Sequence, residues 1–298
     1  MAYPKITIVT HCFNREKFIA ETIESVITQD YPNLEYIVID DGSTDRSWEI
    51  IQTYKDRLAY CEQLSGTRPS PTPALTHGFS KSTGEIITWL NAKNTLLPKS
   101  LFAVAELFEK NPEIEWLTGL NATTDDEGKV VYVGMRGRKT KYDFLIRNHN
   151  VIQQESTFFK RSLWEKVGGF DPRFEWYFDF ALWCKFFRYA KVYFTPTLIG
   201  AYRKSLVSKS VSNRDALRHV ETSILKTFWK ESPLSSRMGA VIYKILRFIK
   251  PLLALIPHSV YRNFPFLTIY KVYVVAYVFN GKEWETKTST ENPFRPLL

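Results

Sequence analysis

The chain has 298 residues, 44% hydrophobic and 24% charged, which suits a globular protein with room for a large core and excludes a disordered or fibrous one. Three scattered cysteines, Cys12, Cys61 and Cys184, exclude a disulfide scaffold and carry no metal-binding spacing. The net charge of +9 is concentrated in residues 214–282, where eleven Lys or Arg face three Asp or Glu.

In chain order, Ile6 to Thr10 reads as a short apolar strand ending in Thr10-His11-Cys12-Phe13-Asn14-Arg15-Glu16. Phe18, Ile19, Ile23, Val26 and Ile27 have helical spacing, and Tyr31-Pro32-Asn33 stops that helix. Tyr36 to Ile39 is a second strand. It ends in the adjacent carboxylates Asp40 and Asp41, then Gly42, then a helix for which Ser43, Thr44 or Asp45 is a cap. Strand, helix, strand, helix in this order predicts parallel βαβ units, with ligands bound beyond the carboxyl ends of the strands. Residues 65–73 are Pro-rich and predict a loop. Ile86 to Leu90 is a further strand, ending in Asn91-Ala92-Lys93-Asn94, and Pro98 precedes a helix over 100–109. Residues 122–150 predict a hairpin turning at Asp126-Glu127-Gly128-Lys129, followed by a basic loop from Arg136 to Lys141 that either covers an acceptor or is plain surface.

The ordered segments Ile8-Val9-Thr10, Phe13-Asn14-Arg15, Ile39-Asp40-Asp41-Gly42-Ser43-Thr44-Asp45, Trp89-Leu90-Asn91, Glu155-Ser156-Thr157-Phe158-Phe159, Val167-Gly168-Gly169-Phe170-Asp171 and Asp179-Phe180-Ala181-Leu182-Trp183 carry a resemblance. From about residue 5 to 213 the chain resembles the family 2 glycosyltransferases, and the fold implied is the α/β GT-A fold, a Rossmann-like mixed sheet flanked by helices. The resemblance implies a nucleoside-diphosphate sugar donor, most simply a UDP-sugar, a saccharide or lipid-linked acceptor in surface glycan synthesis, and inversion at the sugar. Asp179 falls on the position of the family's general base. Thr10, Phe13, Asn14, Glu16, Asp40, Asp41 and Asn91 are the expected nucleotide-sugar contacts. Glu155, Gly168, Gly169 and Trp176 are expected at the acceptor.

Two departures touch the diphosphate. The acidic ligand of a divalent cation (Mg or Mn) is replaced by Asn94, a weaker ligand, and Lys93 adds a positive charge beside it. A late histidine is replaced by Ser205. A metal is therefore doubtful, and Lys93, Arg203 and Lys209 are expected to supply charge in its place. The same losses admit another reading, a catalytically silent protein that binds a nucleotide sugar or a partner.

The expected domains are 1–213, the transferase, and 214–298, a basic amphipathic region. That region suits the surface of an anionic bilayer, or else forms an ordinary helical layer on the domain. It holds no run of roughly 20 apolar residues that could span a membrane. No leader precedes Ile6, so the expected location is cytoplasmic, peripheral at the inner membrane face. No nucleic-acid-binding module is evident, so nucleic acid is not an expected partner.

Overall fold

The computed structural model describes residues 3–65, 70–135, 139–147, 152–204, 214–248, 272–279 and 284–291. Its first half alternates strands and helices: β1 (Ile6–Cys12), α1 (Ile19–Ile27), β2 (Leu34–Asp40), α2 (Ser47–Thr53), β3 (Tyr60–Gln63), α3 (Thr72–Ser80) and β4 (Ile86–Asn91). Next come β5 (Thr95–Leu96), α4 (Ser100–Lys110), the hairpin β6 (Trp116–Thr124) and β7 (Val130–Gly134), then α5 (Lys141–Leu145). β8 (Thr157–Lys160), α6 (Arg161–Val167), α7 (Phe178–Phe186) and β9 (Val192–Arg203) follow. The C-terminal part has α8 (Arg214–Glu231), α9 (Leu234–Phe248), β10 (Val272–Phe279) and β11 (Trp284–Glu291).

One mixed sheet runs in the order β11-β10-β9-β6-β8-β4-β1-β2-β3, with β5 paired to β9 and β7 to β6. β1, β2, β3 and β4 are parallel; β1, β2 and β4 are buried on both faces, as parallel strands under helices require, and β3 is the half-exposed edge. The two-residue period of a strand divides them into two cores. Val9, Ile37, Ile39, Ile87 and Trp89 face α3 and α7. Ile8, Tyr36, Val38, Ile86 and Leu90 face α1 and α4.

Four local readings change. α2 starts at Ser47, not at 43–45; of the three expected caps only Asp45 meets the helix, accepting from Ser47 N–H at 2.9 Å. α3 starts at Thr72, inside the expected Pro-rich loop, because Pro73 falls in the first turn, where no helical N–H partner is needed. α5 lies where a basic loop and hairpin were expected; a capping box between Thr140 and Asp143 starts it. Residues 272–279, read as part of an amphipathic stretch, form strand β10 and pair with β9 through Tyr273–Tyr193 and Val274–Phe194.

The expected division at 213/214 borders residues outside the description. Across it, Ile224, Leu225, Phe228, Ala240, Tyr243 and Leu246 of α8 and α9 are buried in the same core as Leu182 and Phe186 of α7. Among the described residues no helix is long and apolar enough to cross a membrane.

Candidate active site

The carboxyl ends of β2, β1 and β4 lie side by side, with Cys12 in register with Asp40 and His11 with Asn91. Two strand spacings separate Asp40 from Asn91, roughly 10 Å. The loops beyond these ends clamp each other. Asn14 N–H donates to Ser43 Oγ at 2.9 Å, Arg15 N–H to Ser47 Oγ at 2.7 Å and Glu16 N–H to Asp45 Oδ2 at 3.1 Å. In return Asn14 Oδ1 accepts from Thr44 N–H at 2.8 Å and Glu16 Oε2 from Arg46 N–H at 3.1 Å. Asn14 adopts φ 50°, a left-handed conformation that asparagine tolerates.

This clamp reassigns several expected donor contacts. Asn14 and Glu16 hold the next loop. Asp40 is fully buried; it accepts from Ser43 N–H at 2.8 Å, from the Ser43 hydroxyl at 2.5 Å and from Gln63 Nε2 at 3.0 Å. Thr10 Oγ1 pairs with Tyr36 Oη at 2.9 Å inside the core and does not reach the edge. Phe13 stays half-buried beside the clamp. Asp41 differs from the rest. Its Oδ2 lies 3.7 Å from His11 Nε2, and its buried Oδ1 has no hydrogen-bond partner. A buried acceptor left unmet is uncommon and marks a place for a ligand N–H or O–H.

Asn91 also lines a cavity of about 440 Å³ with Glu155, Trp176 and Asp179. Tyr202 from β9, Asn121 from β6, Tyr132 from β7 and Gln154 complete much of the wall. Asp179 stands in the first turn of α7, and its Oδ1 accepts from Phe180 N–H at 2.8 Å. Trp183, four residues on and thus on the same helix face, anchors that turn. Its ring stacks between Trp89 and Trp116, with centroids 5.6 and 5.4 Å away. Burial pushes the Asp179 carboxyl above its ordinary value, and the backbone N–H of Phe180 opposes this. Burial likewise pushes Glu155 up to about 7; the Asp179 charge acts in the same sense and Lys93 opposes. Two carboxyls with different environments in one cavity are suited to proton transfer. Gln154 Nε2 donates to Trp89 O, while its buried Oε1 has no partner. Trp176 is 45% exposed at the mouth.

The expected diphosphate residues separate. Asn94 is fully buried: Nδ2 donates to Glu155 Oε1, and Oδ1 accepts from Arg203 N–H at 3.0 Å. Arg203 is 1% exposed. It donates to Lys93 O at 3.0 Å, to Asp126 O at 2.7 Å and to Asp125 O at 3.2 Å, and it pairs with Glu21. Neither the expected metal position nor the expected cation is available to a ligand, since both side chains tie β4, β9, α1 and the hairpin turn together. Lys93 is available: its Nζ lies 3.2 Å from Tyr202 Oη and 4.5 Å from the centre of that ring. Among the described residues no group of three His, Cys, Asp or Glu could hold a metal ion. With Asn94 turned inward and Lys93 beside it, the residues at the end of β4 do not fit a divalent cation. Lys209 and Ser205 lie outside the described residues.

Gly168 and Gly169 are not at the cavity. They end α6 with φ 69° and 63°, Gly169 N–H donating to Trp164 O at 3.0 Å. Sequence reasoning missed Asn121, Tyr132 and Tyr202. Tyr202 opens the late segment that holds Arg203 and Ser205, and Tyr132 sits on the predicted hairpin, but neither was assigned a role.

The sequence profile described as Glycosyl transferase family 2 matches residues 7–189. An uncharacterized glycosyltransferase of Rickettsia typhi is 27% identical over 224 residues, covering 73% of this chain and 69% of that protein. The poly-beta-1,6-N-acetyl-D-glucosamine synthase of Staphylococcus epidermidis is 27% identical over 172 residues, 56% of this chain but only 42% of the synthase. Among solved structures, S. aureus TarS 1–349 in complex with UDP-GlcNAc superposes with a TM-score of 0.66 at 16% identity, covering 82% of this chain and 72% of that one. The mannosyltransferase PcManGT from Pyrobaculum calidifontis, in complex with GDP-Man and Mn²⁺, gives 0.54 at 17% identity, covering 84% and 82%. At these identities the structures establish the shared GT-A fold. The profile spans more than half of the residues, and the chain belongs to glycosyl transferase family 2.

Proposed function

We propose that this glycosyltransferase moves a sugar from a nucleoside-diphosphate sugar, uridine-linked, onto a hydroxyl of a saccharide or lipid-linked saccharide, with inversion. The observation that carries the reading is Asp179. It is a carboxylate of raised proton affinity, fixed by the Trp183 stack, in a cavity that starts at the carboxyl edge of the parallel strands. Asp179 accepts the proton of the attacking hydroxyl, whose oxygen forms the new bond to the anomeric carbon as the bond to the diphosphate breaks. Trp176 and Tyr177 at the mouth give faces on which an acceptor ring stacks. The unmet Oδ1 of Asp41 receives a donor N–H or O–H. Lys93 neutralises the departing diphosphate, since Arg203 is engaged elsewhere.

TarS bound to UDP-GlcNAc and the glucosamine-polymer synthase favour a UDP-linked amino sugar as the first donor to try. Incubation with UDP-sugars and an oligosaccharide acceptor should release UDP, and the product's anomeric proton should show the configuration opposite to the donor's. Retention of configuration would refute the single-base scheme. The inward-turned Asn94 and Arg203 favour one second reading, binding without turnover. A donor that raises the melting temperature but yields no UDP under any acceptor would establish that instead.

A further inference from the structure

α9 is apolar on two opposite sides. Ser236, Gly239, Ala240, Tyr243 and Leu246 are buried, with α5 among the elements they pack on. Half a turn away, Leu234, Met238, Val241, Ile242, Ile245 and Phe248 are between 45% and 88% exposed. At helical pitch these six side chains fall within roughly 120° of arc, one continuous stripe. Scattered exposed leucines need no explanation; a contiguous stripe of six does. α9 has no Asp or Glu; Arg237 and Lys244 lie along one flank of the stripe, and Arg247, further round on that side, donates to Asp143 Oδ1 at 3.2 Å.

We propose that α9 docks the protein on an anionic bilayer, its exposed stripe set into the acyl boundary and the flanking Arg237 and Lys244 meeting lipid phosphates. An apolar partner protein would satisfy the stripe but leaves the flanking cations Arg237 and Lys244 unanswered. A bilayer with anionic headgroups meets both. The proposal stands apart from the transfer chemistry and is read by binding alone.

Flotation of the full chain with phosphatidylglycerol–phosphatidylcholine vesicles, against phosphatidylcholine alone, tests it. Wild type should float with the anionic vesicles only. Ile242→Glu/Ile245→Glu, at exposed positions, should lose more than about tenfold in partitioning. Arg237→Ala/Lys244→Ala should lose about fivefold per cation on anionic vesicles. Nucleotide release in solution should be unchanged in both. Equal flotation on neutral vesicles, no flotation, or a Glu variant that floats like wild type would each overturn the proposal. So would a wild-type dimer by light scattering that the Glu variant splits, which would make the stripe a contact between copies.

Discussion

Glu155 and Asp179 share a cavity but differ in what holds them. Glu155 is fixed by Asn94 and raised to about 7 from an ordinary 4.5. Between those values the folded chain keeps a proton that the unfolded chain has released. The stability this group contributes is therefore complete below about 4.5 and is lost as pH rises to about 7. Glu155→Gln keeps an acceptor for Asn94 and removes the loss. Its melting temperature relative to wild type should climb from about pH 5 to about pH 7 and level off above; a flat difference would mean Glu155 is already ionised in the fold. Asn94→Asp is a second probe at this scale. It removes the donor to Glu155 and adds a like charge, so it should cost about 1–3 kcal/mol in denaturant unfolding. Restoration of wild-type stability by Mg²⁺ would mean the position is a metal site after all. Asp179 was singled out because it falls on the position of the family's base, and the structure places it in the cavity wall. The roles of Asn14, Glu16 and Arg203 were not legible. Their partners at 43–47 and at 93, 125 and 126 come from other loops, which no local pattern announces.

At the scale of elements, α7 is placed by a stack of three tryptophans, not by its cap, for Tyr177 caps it in a left-handed conformation at φ 55°. Trp183→Ala should destabilise the fold by about 3–5 kcal/mol. Trp183→Phe, which keeps an aromatic ring in the stack, should fold yet lower kcat by displacing Asp179. Unchanged kcat in the Phe variant would separate the base from the stack. β9 positions the opposite wall. Gly200 packs on the Glu155 backbone so closely that a Cβ has no room. The positions of β1, α1, β2 and β4 followed from apolar pattern; the start of α3 and the existence of α5 did not. A proline inside the first helical turn reads like a breaker, and five residues are too few to show a period.

Over the whole molecule, the sheet joins both ends of the chain. β4 sits between β1 and β8, with β6 and β9 beyond, so Asn91, Asn121 and Tyr202 from distant segments meet at the cavity, and β10 extends the sheet past β9. This long-range order cannot be read from local spacing, whereas the parallel half was legible from its βαβ alternation. If Lys93 serves as the proposed cation, with no fitting metal ligand among the described residues, nucleoside-diphosphate release should persist in chelator and Lys93→Gln should slow it. Strict dependence on Mg²⁺ or Mn²⁺ would contradict that assignment. The most direct measurement is steady-state turnover of Asp179→Asn beside wild type, with donor binding followed by thermal shift. The account predicts a fall of about 10²–10⁴-fold in turnover with donor binding retained. Turnover near the wild-type rate would contradict it.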